Sequence, residues 1–257
     1  MQTEKPELFI NRKYRECLKR HTDHHMLMCL PLLCRCLHQK TKLLKYLSKI
    51  GEEVLDLEDL ASHRGSVFGW VGEVKQPTNE QFSNNVAVCM SSFKKHSGSW
   101  IFVEDEGRHV GHVHVPDALY HALRQAPLVI KIQCSRKSRL DILVQDYANS
   151  DTQEKGEWLD GMKRSVSQLR KRFGNENVEK VIETLDEGDW RAVADMLLPY
   201  YDKLYDKHIQ NETGTGSGTG TRQGKILSVG QDDIDFDERE LADGILRITA
   251  QNSNLLK

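Results

Sequence analysis

Residues 39–69 read QKTKLLKYLSKIGEEVLDLEDLASHRGSVFG, and residues 100–111 read WIFVEDEGRHVG. In the first stretch Leu43, Leu44, Leu47 and Ile50 recur at helical spacing, and after Gly51 the segment Glu53–Leu57 (EVLDL) reads as a short strand. The second opens on another strand, Trp100–Val103, which runs directly into Glu104, Asp105 and Glu106. Leu128–Ile132 (LVIKI) supplies a third. Between them Thr78 is placed to cap a helix reaching Lys95, and Pro116 with Asp117 opens another that runs to Gln125. Short apolar runs alternating with helical patterns predict an α/β fold, a parallel sheet with helices on both faces.

Beyond Tyr147 the pattern becomes helical. Trp158, Met162, Val166, Leu169 and Phe173 form one stripe, Val178, Val181, Ile182 and Leu185 a second, and Trp190, Val193, Leu197 and Tyr201 a third. Residues 211–221 (NETGTGSGTGT) carry no apolar anchor and read as a flexible linker into the acidic run QDDIDFDERELAD of residues 231–243. The predicted organisation is a divergent basic amino-terminal segment over 1–38, an α/β domain over 39–150, a helical extension over 151–210, and a linker with an acidic tail over 211–257.

The chain has 257 residues, 36 Lys+Arg against 38 Asp+Glu, and 38% hydrophobic content, which fits a folded protein and excludes a collagen, a mucin or a wholly disordered chain. A net charge of -2 leaves nucleic-acid contact to local patches. The first 50 residues hold eleven basic residues against four acids, and Lys163, Arg164, Arg170, Lys171 and Arg172 surround one helical stripe; they suit RNA phosphates or simply water. The longest run rich in apolar residues, Met26–Leu37, contains Pro31 and Arg35 and is shorter than the roughly 20 residues of a spanning helix. No signal-peptide pattern opens the chain, so a cytoplasmic protein without membrane attachment is expected. Cys17, Cys29, Cys34, Cys36, Cys89 and Cys134 lack the spacing of a disulfide framework and read as thiols.

Four segments could carry chemistry. His63, Arg64, Gly65 and Ser66 follow the first strand: Arg64 offers a planar fork to phosphate oxygens, Gly65 admits close backbone approach, and Ser66 adds a hydroxyl. The same loop is equally readable as a solvated surface turn whose arginine pairs with nearby acids. Glu104, Asp105 and Glu106, with Arg108 behind them, lie at a strand's carboxyl end, where acids suit magnesium or water activation. Ahead of the first helix, residues 34–41 (CRCLHQKT) place Lys40 and Thr41 at the end of a phosphate-loop pattern, with Leu37, His38 and Gln39 among the positions where flexible glycines would help form the cradle. His109, His112 and His114 favour a hairpin with exposed imidazoles over zinc, so no metal centre and no catalytic residue is assigned.

Taken in order, residues 39–69, PTNEQFSNNVA, WIFVEDEGRHVGHVHVPDALYHALRQAPLVI, RLDILVQDY, KRFG and LLPYYDKLYDK resemble the carboxyl-terminal P-loop domain of the tRNA 2-selenouridine synthases over residues 40–208. The resemblance implies a P-loop NTPase-like fold. It matches Lys40 and Thr41 to the end of the P-loop, His63, Arg64, Gly65 and Ser66 to an HRGS motif, and Glu104, Glu106 and Arg108 to the acidic strand end.

Such enzymes replace the sulfur of 2-thiouridine at the tRNA wobble position with selenium through an S-geranylated intermediate. The resemblance therefore implies selenophosphate and geranyl diphosphate as substrates, magnesium as an accompanying ion, and tRNA as a partner. The family's catalytic cysteine resides in a rhodanese-like domain that fewer than 40 preceding residues do not supply here, which predicts a rhodanese-like partner in another chain. Loss of the P-loop glycines favours one alternative, a non-catalytic tRNA- or protein-binding remnant; a second alternative is a P-loop kinase or NTPase, against which the CRCLHQKT stretch speaks.

Overall fold

The computed structural model describes residues 29–34, 37–63, 75–93, 99–148, 155–213, 224–231 and 237–256. Five parallel strands form the main sheet: β1 (Cys29–Cys34), β2 (Glu53–Leu55), β3 (Ile101–Glu104), β6 (Leu128–Cys134) and β7 (Lys225–Gln231), in the order β2-β3-β1-β6-β7. β4 (His109–Val110) and β5 (Val113–His114) pair separately as an antiparallel hairpin.

Helices cover both faces, as a parallel sheet requires. On one face α2 (Leu57–Ala61), α3 (Asn79–Ser92) and α4 (Asp117–Gln125) bury Leu57, Phe82, Val86, Leu119 and Leu123 against Cys29, Leu55, Ile101 and Val103. On the other, α1 (Leu37–Lys49) and α10 (Glu238–Gln251) bury Leu43, Leu44, Leu47, Leu241 and Ile245 against Leu30, Leu32, Phe102, Ile130 and Ile132. The alternation of Cys29 with Leu30 and of Ile101 with Phe102 between the two cores is the period-2 geometry of a strand buried on both sides.

Element ends follow local chemistry. Asp56 ends β2 at Leu55, two residues before the expected end, because its carboxylate caps α2 by accepting from the Asp59 N–H at 2.8 Å. Thr78 caps α3 as expected, accepting from the Gln81 N–H at 3.2 Å, and that helix stops at Ser92, short of Lys95.

Two sheet strands come from segments expected to lie outside the α/β domain. The central strand β1 falls within the supposed divergent segment 1–38; Pro31, which lacks a backbone N–H, stands in its middle opposite Val103. The edge strand β7 falls within the supposed linker and tail, yet it pairs with β6 along its whole length and α10 packs over it. Gly224 makes that entry possible: a Cβ there would overlap the Ala126 carbonyl oxygen, next to the 2.9 Å bond from the Lys225 N–H to Pro127 O.

The helical extension comprises α5 (Arg136–Ala148), α6 (Lys155–Ser167), α7 (Arg170–Phe173), α8 (Asn175–Glu187) and α9 (Trp190–Thr213). Met162, Val166, Leu169, Val178, Val181, Leu185, Val193 and Leu197 form its core, on the stripes read from the sequence. α5, which follows β6 in the chain, packs on α9 through Leu140 against Ala194 and Leu198, through Arg139 paired with both oxygens of Asp202, and through Arg136 paired with Asp195. Pro199, inside α9, cannot bond back to the Asp195 carbonyl, and Arg136 Nη2 donates to that oxygen at 3.4 Å. Among the described residues no helix is long and apolar enough to cross a membrane.

Candidate functional site

In this strand order the chain leaves β1 toward β2 and leaves β3 toward β6 on the opposite side, so the topology reverses between β1 and β3. Ligands of open α/β sheets bind outside the carboxyl ends of the strands at that reversal. Three segments converge there: the start of α1 after β1, the α2 turn after β2, and residues 104–106 at the end of β3.

Lys40, the fourth residue of α1, is 1% exposed. Its Nζ lies 2.7 Å from Glu106 Oε1, 3.3 Å from Glu58 Oε1 and 3.5 Å from Glu104 Oε1. Glu104 is the last residue of β3, level with Leu32 of β1, and is fully buried; its Oε2 accepts from the Glu58 N–H at 2.7 Å. That bond fastens α2 to β3 and aims Glu58 at the same ammonium.

The charges are unequal. One ammonium cannot balance three carboxylates at such distances away from water. Burial raises Glu104 well above the ordinary carboxylate range and Glu58 to about 7, with Lys40 opposing both shifts. Burial also raises Asp56 beside them. Glu58 therefore exchanges its proton near neutral pH, where an incoming anion can shift it.

The loop after β3 is fixed from the far side. The Asp105 N–H donates to Leu32 O at 3.1 Å, and the Asp105 carboxylate receives Arg124 Nη2 at 2.7 Å. The same nitrogen donates to the Glu106 carbonyl at 3.0 Å. Glu104 and Glu106 thus turn toward Lys40, whereas Asp105 pairs with a buried arginine of α4.

His63 follows the left-handed Ser62 that ends α2, and its ring lies against Gly111 at the β4-β5 turn. Gln76 ties these pieces together, donating to Ala61 O and Val110 O and accepting from the His112 N–H at 2.9 Å. The hairpin expected from the histidine spacing is present: His109 faces His114 across it with ring nitrogens 3.2 Å apart. Arg108 pairs with Asp117 at 2.9 Å and stacks on Tyr120, whose ring also lies beneath Arg124. Thr41 is half-buried in the same turn as Lys40. Arg64, Gly65 and Ser66 lie outside the described residues.

The strand-to-helix connection is short. β1 ends at Cys34 and α1 is helical from Leu37, so three positions that would belong to a glycine cradle are helical turns. As clasped on the ammonium, the three carboxylates do not present a ligand set for magnesium, and among the described residues no three His, Cys, Asp or Glu side chains converge as metal ligands.

Two members of this cluster were not assigned from sequence. Glu58 lies in the first turn of α2 and Arg124 in the last turn of α4, and only the depth at which each is buried separates them from surface charges.

The family model described as the tRNA 2-selenouridine synthase AAA domain matches residues 37–234. The tRNA 2-selenouridine synthase of Hydrogenovibrio crunogenus is 31% identical over 195 residues, covering 67% of this chain and 50% of its own. That of Marinobacter nauticus is 30% identical, with 62% and 49% covered, and that of a Sulfurovum species 30% identical, with 66% and 51% covered. The chain thus spans about half the length of these curated relatives. No solved structure matches it.

Proposed function

The chain belongs to the tRNA 2-selenouridine synthase family, and from that premise we propose that its sheet domain receives the phosphate groups of a ligand used in converting wobble 2-thiouridine to 2-selenouridine. The ligand is selenophosphate or the diphosphate of a geranyl donor, and a rhodanese-like domain supplies the sulfur and selenium chemistry. The observation that carries this reading is the buried Lys40 ammonium at the β1-β3 reversal, held by Glu58, Glu104 and Glu106.

Phosphate oxygens exchange with those carboxylates for Lys40, and the displaced carboxylates take up or retain protons, for which burial has already prepared Glu58 and Glu104. By the family resemblance, Arg64, Gly65, Ser66, Thr41 and Arg108 are the further candidates for contacts to the same ligand, with His63 bracing the adjoining hairpin.

The test is calorimetric titration of the full chain with geranyl diphosphate and with selenophosphate. Saturable binding of either that falls at least about tenfold in Lys40→Gln and in Arg64→Ala, with unchanged circular dichroism, supports the reading. Equal affinity in wild type and variants overturns it.

A second reading, a binding module without turnover, draws on the early start of α1 at Leu37, which uses helical turns where a backbone cradle would stand. It predicts binding of a 2-thiouridine anticodon stem-loop with no exchange of sulfur for selenium even when a rhodanese-like protein is added.

A further inference from the structure

The stretch from Gly161 to Asn175 carries five basic residues and no acid, whereas α8, packed beside it, exposes Glu176, Glu179, Glu183, Asp186 and Glu187. Two of the five cations are spoken for: Lys163 pairs with Asp186, and Arg170 with Glu179 at 3.3 Å. Among the described residues Arg164, Lys171 and Arg172 make no ion pair and are exposed. The Gln168 and Leu169 N–H groups bond back to Arg164 O and Val166 O at the end of α6, and after this short turn the Arg172 and Phe173 N–H groups bond back to Leu169 O in α7. Arg164 at the end of α6, with Lys171 and Arg172 in α7, forms a cationic ridge across this turn.

We propose that this ridge docks the phosphodiester backbone of a folded RNA, the tRNA of the reading above, on which the proposal rests for its choice of partner. The ridge is rigid. Met162, Val166 and Leu169 anchor it from beneath, and Phe173 packs edge-on against Tyr200 at 5.3 Å. Two guanidiniums match phosphate oxygens in planar pairs, and the pairing of Lys163 and Arg170 with α8 leaves the other three cations for a partner.

The nearby aromatic rings are engaged inside the fold, Trp158 against Trp190 at 4.8 Å and Phe173 against Tyr200, so no platform is offered to splayed bases. Such a surface reads the backbone of a regular stem and not sequence. The acids exposed on α8 repel phosphates from that side and limit how the stem can lie.

The experiment measures fluorescence anisotropy of a labelled tRNA transcript with the full chain across a salt series, for wild type and for the triple variant Arg164→Gln, Lys171→Gln, Arg172→Gln. The expected result is about 10- to 100-fold weaker binding at moderate salt, with the slope of log K against log salt reduced by roughly two to three. Unchanged affinity and slope, or no binding by wild type, overturns the ridge. Competition by polyglutamate as effective as that of unlabelled tRNA also overturns it, since the ridge would then accept an acidic peptide.

Geranyl diphosphate titration of the same variant separates the two proposals. Loss of RNA binding with diphosphate binding intact supports the ridge alongside the Lys40 site. Loss of RNA binding in the triple variant, when neither it nor the wild type binds diphosphate or selenophosphate, supports the ridge while the Lys40 reading fails.

Discussion

Arg124 and Asp105 are paired at 2.7 Å with both side chains almost wholly buried, and through the Glu106 carbonyl the same guanidinium holds the segment that carries Glu104 and Glu106. The pair is a support for the charged cluster on the other side of the strand. Removing one partner leaves a buried charge without compensation, so Arg124→Ala is expected to cost about 3–5 kcal/mol, read as a lower urea midpoint. Arg124→Lys retains the charge but loses the fork, and should fall between the two. A double variant, Arg124→Met with Asp105→Asn, should recover much of the loss; a double variant as unstable as the sum of the singles would remove the coupling on which this account depends.

Glu58 gives the fold a pH dependence whose sign is set by burial. Its carboxyl is raised from 4.5 to about 7 in the folded chain, so the folded state binds more protons between those values. Stability from this group is complete below about pH 4.5 and is lost as pH rises through 7, by about 3 kcal/mol at most. Glu104 acts in the same direction. Asp117, lowered by its bond from Arg108, acts oppositely and at more acidic pH. Urea midpoints measured at pH 5, 6, 7 and 8 should decline, and Glu58→Gln should flatten the decline; an identical slope in the variant would show that Glu58 titrates as an ordinary exposed acid.

The legibility of the fold differed strand by strand for physical reasons. β2, β3 and β6 announce themselves because apolar runs end at polar residues, and the caps at Asp56 and Thr78 are local chemistry. β1 was hidden by Pro31, a residue that sequence rules assign to edges and turns, so the central strand was read as part of a foreign segment. β7 was hidden by its neighbours, a Gly/Thr/Ser tract before it and an acidic run after it. Lys40, Glu104 and Glu106 were legible from motif order. Their mutual contact was not, since pairing across 66 residues is written in the strand order and not in any local pattern.

β7 and α10 yield a direct test of where the folded unit ends. Leu227 and Val229 flank Ile130 and Ile132 in the neighbouring strand, and Leu241 and Ile245 of α10 pack in the same core as Leu128, Ile130 and Ile132 of β6. A chain cut after Gln210 would expose those side chains and leave β6 as an unprotected edge, so it is expected to aggregate or to lose its cooperative transition. Gly224→Ala should act more gently, loosening the start of β7 against Ala126. Hydrogen exchange should then quicken in residues 225–231 before the rest of the sheet. A soluble, cooperatively melting chain ending at 210 would mean that β7 contributes little to the domain.

Lys40 is the last case, and its expected behaviour changes with pH. In Lys40→Ala, Glu58 and Glu104 lose the ammonium that opposed the effect of their burial, so their protonation becomes still easier. At pH 8 the variant must either bury charge or keep protons against the solvent, and a loss of about 3–5 kcal/mol is expected. At pH 5 Glu58, raised to about 7, is already neutral in the folded state and Glu104 is shifted in the same direction, so less is lost and the gap between variant and wild type should narrow. Adding Glu58→Gln, which removes a carboxylate that burial raises to about 7, should recover part of the stability at pH 8 and little at pH 5. A gap that stays constant across this range would mean that Lys40 supports the fold by packing its aliphatic stem and not by its charge, and the exchange of phosphate for carboxylate proposed for the site would lose its physical basis.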